Sequence, residues 1–322
     1  MFAAAYDTNG SPDVFRYVEL PDPTVRRGGV IIKIEAIGIQ GGDTLNRARG
    51  ELVTHPHVVG YQASGTVIEL GDDVITRKVG DRVVATMAFG SHASMCSVPA
   101  GSTWLIPDSM SFDTAAGIPV EFGTADDCLF EFGRLQAGET VLIQAGAGGV
   151  GLAAIQLAKA AGATVIATAS GDERVARLAE FGMDHGINYA TTDVATRVRE
   201  LTNGHGVDLA LDPVGGSVLE SSIASLAYRG RVSWVGQAGR DASNPAVWPL
   251  MEKNASLTGV FLGIELVLRP ERAMPLIAGL VDRIGKGELE VVIDSTYPLE
   301  DAAGAHAHIE SRTAFGRVLL KP

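Results

Sequence analysis

The stretch Val141-Leu142-Ile143-Gln144-Ala145-Gly146-Ala147-Gly148-Gly149-Val150-Gly151 sets an apolar run directly before three glycines, 146, 148 and 151, at the spacing GxGxxG. Each glycine has its own task. Gly146 permits a tight turn, Gly148 lets backbone N–H groups approach a pyrophosphate, and Gly151 lets the following helix press against the strand. The helix start adds unpaired N–H donors and a partial positive charge, which suit an anion. Glycine spacings of this kind recur by chance in a chain with 39 glycines. Here a strand pattern precedes the loop and a helical one follows, so the segment reads as a dinucleotide cradle, with Gly146, Ala147, Gly148, Gly149, Val150 and Gly151 as its contacts.

Working outward, strand and helix alternate: strand 140–144, helix 149–161, strand 164–168, helix 172–181, then a third unit reaching strand 207–211. Short β-branched runs separated by helices are the sequence form of βαβ units, which implies an α/β fold with a doubly wound parallel sheet. Further strands fit 231–235 and 256–260. The first hundred residues differ. Strands at 14–20, 30–37, 65–70 and 81–87 are cut by Gly28-Gly29, Gly41-Gly42, Gly71-Asp72-Asp73 and Gly80-Asp81, and helical pattern is scarce. That region predicts an irregular antiparallel or barrel-like β domain. A helix at 271–284, another at 299–311 and a strand at 316–320 form a tail too small to fold alone, so it packs on another domain.

The choice of dinucleotide falls at the end of the second strand. There an NAD-preferring protein usually carries Asp or Glu for the ribose hydroxyls, and this chain has Ala169 and Ser170. Without a carboxylate a 2′-phosphate meets no repulsion, Ser170 can donate to it and Arg174 can supply charge, so NADPH is the expected cofactor. Asp172 and Glu173 read as ordinary stabilisers of a helix start.

The 322 residues are 46% hydrophobic and 20% charged, enough for a packed core in two domains and too apolar for a disordered chain. A formal charge of −12 repels nucleic acid phosphates and anionic membranes, and no run of about 18 apolar residues occurs. Neither nucleic acid nor membrane is an expected partner, and the start lacks a secretory pattern, so the expected location is cytoplasmic. Two cysteines, Cys96 and Cys128, supply neither a disulfide framework nor a thiolate zinc site.

The chain resembles the zinc-independent quinone oxidoreductases, the ζ-crystallin-like branch of the medium-chain dehydrogenase/reductases. The resemblance covers essentially the whole length. It rests on Ala36-Ile37-Gly38-Ile39-Gln40 leading to Asp43 and Arg47, on Gly60-Tyr61-Gln62-Ala63-Ser64-Gly65, on Gly80-Asp81-Arg82-Val83, on the Ala145 to Gly151 loop, on Ile187-Asn188-Tyr189 and on Asp212-Pro213-Val214-Gly215-Gly216. It implies a Rossmann domain inserted into a GroES-like, mostly β catalytic domain, with bounds 1–121, 122–262 and 263–322, the last segment completing the catalytic domain. It also implies a homodimer. Zinc-dependent members of the superfamily place a Cys in the first motif and a His followed by Glu in the second. Here those positions hold Gln40, Tyr61 and Gln62, a poor donor set for zinc. The pairs His55/His57 and His306/His308 look like ligand pairs but read as surface or loop histidines. The first motif commonly carries Asn where Gln40 stands, and Leu45 replaces an aromatic residue, so the acceptor is left open.

Without a Lewis acid, simple ketone reduction loses its means of stabilising an alkoxide, whereas a quinone or an enone spreads the charge itself. The resemblance therefore implies NADPH-dependent hydride transfer to a small-molecule quinone or enone. An enoyl or alkenal reductase and an NADPH-binding protein with little turnover are the rivals. Tyr61 and Gln40 are candidate donors to the acceptor oxygen, and Asp43 and Arg47 a pair that holds the site. Asp43 and Arg47 fit a plain i,i+4 helix pair equally well, and Tyr61 can simply fill the space of the lost metal. By family position Thr124 lies near the nicotinamide, Tyr189 near the adenosine phosphate, and Gly236 and Gln237 on a cofactor-facing loop. Arg317 is either a cofactor contact or an exposed strand-end arginine.

Overall fold

The strands expected in the first hundred residues form, and others join them, in a computed structural model that describes all 322 residues. They are β1 (Phe2–Ala5), β2 (Arg16–Glu19), β3 (Gly29–Gly38), β4 (Gln62–Leu70), β5 (Arg82–Thr86), β6 (Met95–Pro99) and β7 (Thr103–Leu105). β3 is β-branched at Val30, Ile31, Ile32, Ile34 and Ile37, all buried, so it reads as a continuous apolar run instead of an alternating one. Two helices interrupt the strands, α1 (Gly41–Arg49) and α2 (Phe112–Ala115). The expectation of little helix misses α1 because its sequence lacks an apolar stripe, having Leu45 as its one large apolar residue. What starts it is chemical: the Asp43 carboxylate accepts the backbone N–H of Gln40 at 2.8 Å.

A helix that the sequence pattern does not mark, α3 (Pro119–Asp126), precedes the strand–helix alternation expected from residue 140. A π-helical turn, Asp127–Glu131, follows, and the Cys128 carbonyl it frees accepts from Ser233 Oγ at 2.7 Å. Then come β8 (Thr140–Ile143), α4 (Gly149–Ala160), β9 (Thr164–Ala169), α5 (Asp172–Arg177), β10 (His185–Asn188), α6 (Val194–Leu201), β11 (Val207–Asp212), α7 (Gly216–Ala224), β12 (Leu226–Trp234), α8 (Trp248–Glu252), β13 (Ser256–Gly259) and α9 (Leu262–Leu268). The six strands are parallel in the order β10-β9-β8-β11-β12-β13. Strand order reverses between β8 and β11, the topological switch point at which doubly wound sheets bind ligands beyond their carboxyl ends. Leu142, Ile166, Ala210, Ile223 and Val232 anchor the buried core of this layer.

The chain ends with α10 (Pro270–Gly285), β14 (Ile293–Pro298), α11 (Ala302–Glu310) and β15 (Arg317–Lys321). β15 pairs antiparallel with β3, Leu319 opposite Gly38, and brings β14 with it into a seven-stranded sheet ordered β14-β15-β3-β4-β5-β7, with β6 on β3. The tail thus shares a core with Val30, Ile32, Val67 and Val83 through Leu299, Val318 and Leu320. Two units result: Met1–Val120 with Met274–Pro322, and Glu121–Ala273. The second runs past residue 262, because α9 and the first turn of α10 are tied to it by Arg272, which pairs with Asp127 and Glu265 at 2.7 Å each. No helix is long and apolar enough to cross a membrane.

Candidate functional site

In the second unit the turn after β8 is tight for a reason other than the one its glycines suggest. The left-handed residue is Ala145, at φ +52°. Gly146 is needed for space, since a Cβ there would come within 3.0–3.2 Å of Leu178, Ala167 and the Thr168 carbonyl. Its N–H donates to the Thr168 carbonyl at 2.7 Å, and Gly148 N–H closes the turn on the Ala145 carbonyl at 3.0 Å. Gly151 has the expected role, because a Cβ there would run into the Ala145 carbonyl and the Gly146 backbone. Gly148 is the exposed N-cap of α4 and brings no side chain to cap it. The first-turn N–H groups of Gly149, Val150 and Gly151 therefore have no intrahelical partner, as an anion cradle requires.

At the end of β9, Arg174 Nη1 donates to Ser170 Oγ at 2.7 Å, so the expected hydroxyl and guanidinium stand together. The nearby Asp172 carboxylate accepts from Asn188 Nδ2 at 2.7 Å, while Asn188 Oδ1 accepts Gly171 N–H at 3.1 Å. Asn188 organises this loop and was not among the candidates, although it lies in the quoted Ile187-Asn188-Tyr189 run. Tyr189, 46% exposed, follows β10 and donates its N–H to the Ala169 carbonyl at 3.2 Å. After β12, Gly236 accepts from Trp234 Nε1 at 2.7 Å and Gln237 is exposed, and the loop pairs with the turn after β11 through Ala238 N–H to Pro213 at 3.1 Å and Gly239 N–H to Val214 at 3.0 Å. The glycine loop, Ser170, Tyr189, Gly236 and Gln237 thus fall at the carboxyl ends of neighbouring strands. Thr124 is buried in α3.

In the first unit Gln40 is the N-cap of α1 and is buried with Asp43. Half-buried Tyr61 lies against the start of that helix: a Cβ on Gly42 would stand 2.5 Å from its hydroxyl. Gln40, Asp43 and Tyr61 are thereby gathered at one end of α1. Arg47 is not gathered with them. It is 1% exposed, and its guanidinium is spent on the Gly10 carbonyl at 3.1 Å, His306 Nδ1 at 3.4 Å and Glu310 at 2.5 Å, which makes it an internal strut. Arg317 also belongs to this unit; it is buried, not exposed at a strand end, and donates to the Ile39 carbonyl.

Of the two histidine pairs, His55 is exposed as expected and His308 half-buried, whereas His57 and His306 depart from the surface reading. His57, His92 and His306 are buried, and His92 Nε2 meets His306 Nε2 at 3.0 Å. Burial holds the His92 imidazole down at about 3, and burial, His92 and Arg47 hold His306 well below its usual range. Burial likewise pushes the Cys96 thiol up to about 12, and burial with the Asp127 carboxylate beside it holds Cys128 well above its usual range, so neither thiolate is available near neutral pH. At the second-motif position Gln62 is fully buried, its Nε2 donating to the Ala116 carbonyl and its Oε1 accepting Val120 N–H at 2.7 Å. An amide with both ends engaged offers nothing to a cation, and no group of three or more His, Cys, Asp or Glu side chains is arranged to hold a metal ion.

A six-stranded parallel sheet with a glycine cradle at its switch point, carried by a chain whose two ends build a separate β unit, defines a nucleotide-binding oxidoreductase of the medium-chain dehydrogenase/reductase type. Residues 26–126 match the family described as alcohol dehydrogenase GroES-like domain, and residues 149–295 the one described as zinc-binding dehydrogenase. The chain is 32% identical to the human synaptic vesicle membrane protein VAT-1 homolog, over 93% of its own length and 80% of that protein's, and 34% identical to the rat quinone oxidoreductase-like protein 2, over 82% and 76%. A mycobacterial protein solved in complex with NADPH superposes with a TM-score of 0.94 at 35% identity, with all of both chains covered. The chain belongs to the quinone oxidoreductase family of these enzymes.

Proposed function

We propose that this protein is an NADPH-dependent, zinc-independent reductase that passes hydride to a quinone or a conjugated enone. The observation that carries the reading is the Ser170–Arg174 pair at 2.7 Å, standing where a carboxylate would select NAD. The cradle fits the group: an exposed, side-chain-free N-cap opens onto unpaired N–H donors. Ala147 to Gly151 would hold the pyrophosphate, Ser170, Arg174 and Tyr189 the adenosine end, and Thr124, Gly236 and Gln237 the nicotinamide end. When bound, NADPH supplies the hydride. Arg47 and Arg317, engaged internally, are left out.

On the acceptor side Tyr61 is the donor of choice, a half-buried phenol beside Gln40 and Asp43. A quinone oxygen gaining charge from hydride would take a hydrogen bond from Tyr61 Oη and then a proton from it or from water. The engaged amide of Gln62 supports chemistry without a metal. We also propose a cytosolic location, in keeping with two buried, unpaired thiols, and a homodimer.

The test is NADPH oxidation followed by absorbance with 1,4-naphthoquinone, a crotonyl thioester and an alkenal in parallel, with NADH and a chelator as controls. Turnover with the quinone that survives chelation is expected, and Tyr61→Phe should lower kcat about 10- to 100-fold with the NADPH Kd unchanged. Turnover with the thioester or alkenal alone assigns the chain to enoyl or alkenal reduction. Tight NADPH binding without oxidation of any acceptor points to a sensor.

A further inference from the structure

Beneath the two loops at the switch point runs an unbroken line of buried side chains. Gln144 is 2% exposed, Thr168 1%, and Ser222 and Asp212 are fully buried. The direction of every hydrogen bond follows from its ends. Ala145 N–H can only donate, and it meets Thr168 Oγ1 at 3.2 Å, so the Thr168 proton goes to Gln144 Oε1 at 2.9 Å. That fixes the amide, whose Nε2 donates to Ser222 Oγ at 3.1 Å. The Ser222 proton has two acceptors in reach, Val218 O at 3.0 Å and Asp212 Oδ2 at 2.7 Å, and the shorter, charge-assisted bond wins. Asp212 Oδ1 accepts Val214 N–H and Gly215 N–H at 2.8 Å each. Burial raises the Asp212 carboxyl above its usual range, and the three donors around it oppose that shift and favour the carboxylate. Both ends of the line are backbone N–H groups, one in the glycine loop and one pair in the Pro213–Gly216 turn.

We propose that Thr168, Gln144, Ser222 and Asp212 form a positioning relay that sets the glycine loop and the Pro213–Gly216 turn jointly in their dinucleotide-binding conformation. The proposal rests on the dinucleotide reading and adds to it the residues that shape the site without touching the ligand. Two features separate it from ordinary satisfaction of buried polar groups. The line runs from Thr168 on β9 through Gln144, just past β8, and Ser222 on α7 to Asp212 at the end of β11, spanning the point where strand order reverses. Each interior member also has its orientation dictated by its neighbour, so loss of one link releases the rest, as in any cooperative network.

Calorimetric titration of the full chain with NADPH and NADH tests it, on wild type, Thr168→Val, Thr168→Ser, Ser222→Ala and the Thr168→Val/Ser222→Ala double variant, with thermal midpoints recorded in parallel. Thr168→Val and Ser222→Ala should each weaken both nucleotides about 5- to 20-fold, the scale of one buried hydrogen bond. Thr168→Ser keeps the hydroxyl and should bind within about twofold of wild type. The double variant should bind no more weakly than the worse single one, because residues that do not touch each other are coupled only through Gln144. Ser222→Ala alone suffices if Thr168→Val fails to fold. Wild-type affinity in Ser222→Ala, additive losses in the double variant, or a Thr168→Ser as weak as Thr168→Val overturns the relay and leaves the cofactor reading standing. A wild type that binds neither nucleotide overturns both.

Discussion

Ala145 sits at φ +52° in a loop rich in glycine, and that one residue shows how sequence and structure divide the information. The motif locates the loop, and the close approach at Gly151 follows from it, but which residue is left-handed depends on what packs around Gly146, namely Leu178, Ala167 and Thr168. None of those is adjacent in sequence, so spacing alone assigns the turn to the wrong residue. Two outcomes follow from the geometry. Gly151→Ala forces a methyl onto the Ala145 carbonyl and should lower stability by about 2–4 kcal/mol, whereas Ala145→Gly removes a left-handed penalty of about 1 kcal/mol and should be neutral or slightly stabilising. Urea unfolding of the two variants reads the contrast, and equal effects would reject it. At the neighbouring strand end, Arg174→Ala should weaken NADPH by about 1.5–3 kcal/mol with little change for NADH, the worth of a hydrogen bond to a charged group. Equal losses for both nucleotides in a binding titration would remove Arg174 from the 2′-phosphate. Asn188 was missed because an Asn after a strand carries no signal until its partners, Gly171 and Asp172, are seen beside it.

Among the elements, the parallel strands were legible because each is a short apolar run bounded by helices, while α1 and α11 matter for contacts their patterns do not display. Arg47 of α1 reaches His306 and Glu310 of α11, and His306 reaches His92, so a line of buried polar groups joins the two helices. Arg47 can only donate, which makes His306 Nδ1 the acceptor and its Nε2 the donor to His92. The i,i+4 spacing of Asp43 and Arg47 suggested a pair, and the true partners lie far along the chain, in α11 and at Gly10. Both imidazoles are neutral in the folded state and titrate near 6.5 when unfolded. The unfolded chain therefore binds protons that the folded one refuses. Stability from this pair is complete above pH 6.5 and falls as pH drops below it, by up to about 1.4 kcal/mol per pH unit for each histidine. Urea midpoints measured between pH 7 and pH 5 should decline on that scale, and the slope should be shallower in His92→Gln. An unchanged slope in that variant would place the acid sensitivity elsewhere.

At the scale of the whole molecule the far edge of the parallel sheet stands out. β13 ends the strand order, so its outer edge has no strand beside it, and exposed edges invite pairing with another chain unless they are blunted by charge, Pro or a covering element. Here the flanking residues are apolar. Val247, Trp248, Met251, Phe261, Ile264, Val267 and Leu268 are each 49–73% exposed, clustered in sequence on either side of the strand. A chain with a net charge of −12 gains solubility from that charge and has no evident use for so many exposed large apolar side chains in one region. In the proposed homodimer a second copy presenting the same edge would give each strand a partner and bury both apolar sets, the self-complementary arrangement of a two-fold dimer. Composition does not mark these side chains as exposed, since an apolar residue reads the same in sequence whether it lies in a core or on a surface. Sedimentation at micromolar concentration should therefore give twice the 33.6 kDa mass of one chain. Phe261→Asp adds a charge at a position 69% exposed in the single chain, so folding should survive while the dimer dissociation constant rises at least tenfold. A wild type that sediments as one chain, or a Phe261→Asp variant that dimerises as tightly as wild type, would leave the β13 edge open and require another account of its apolar surroundings.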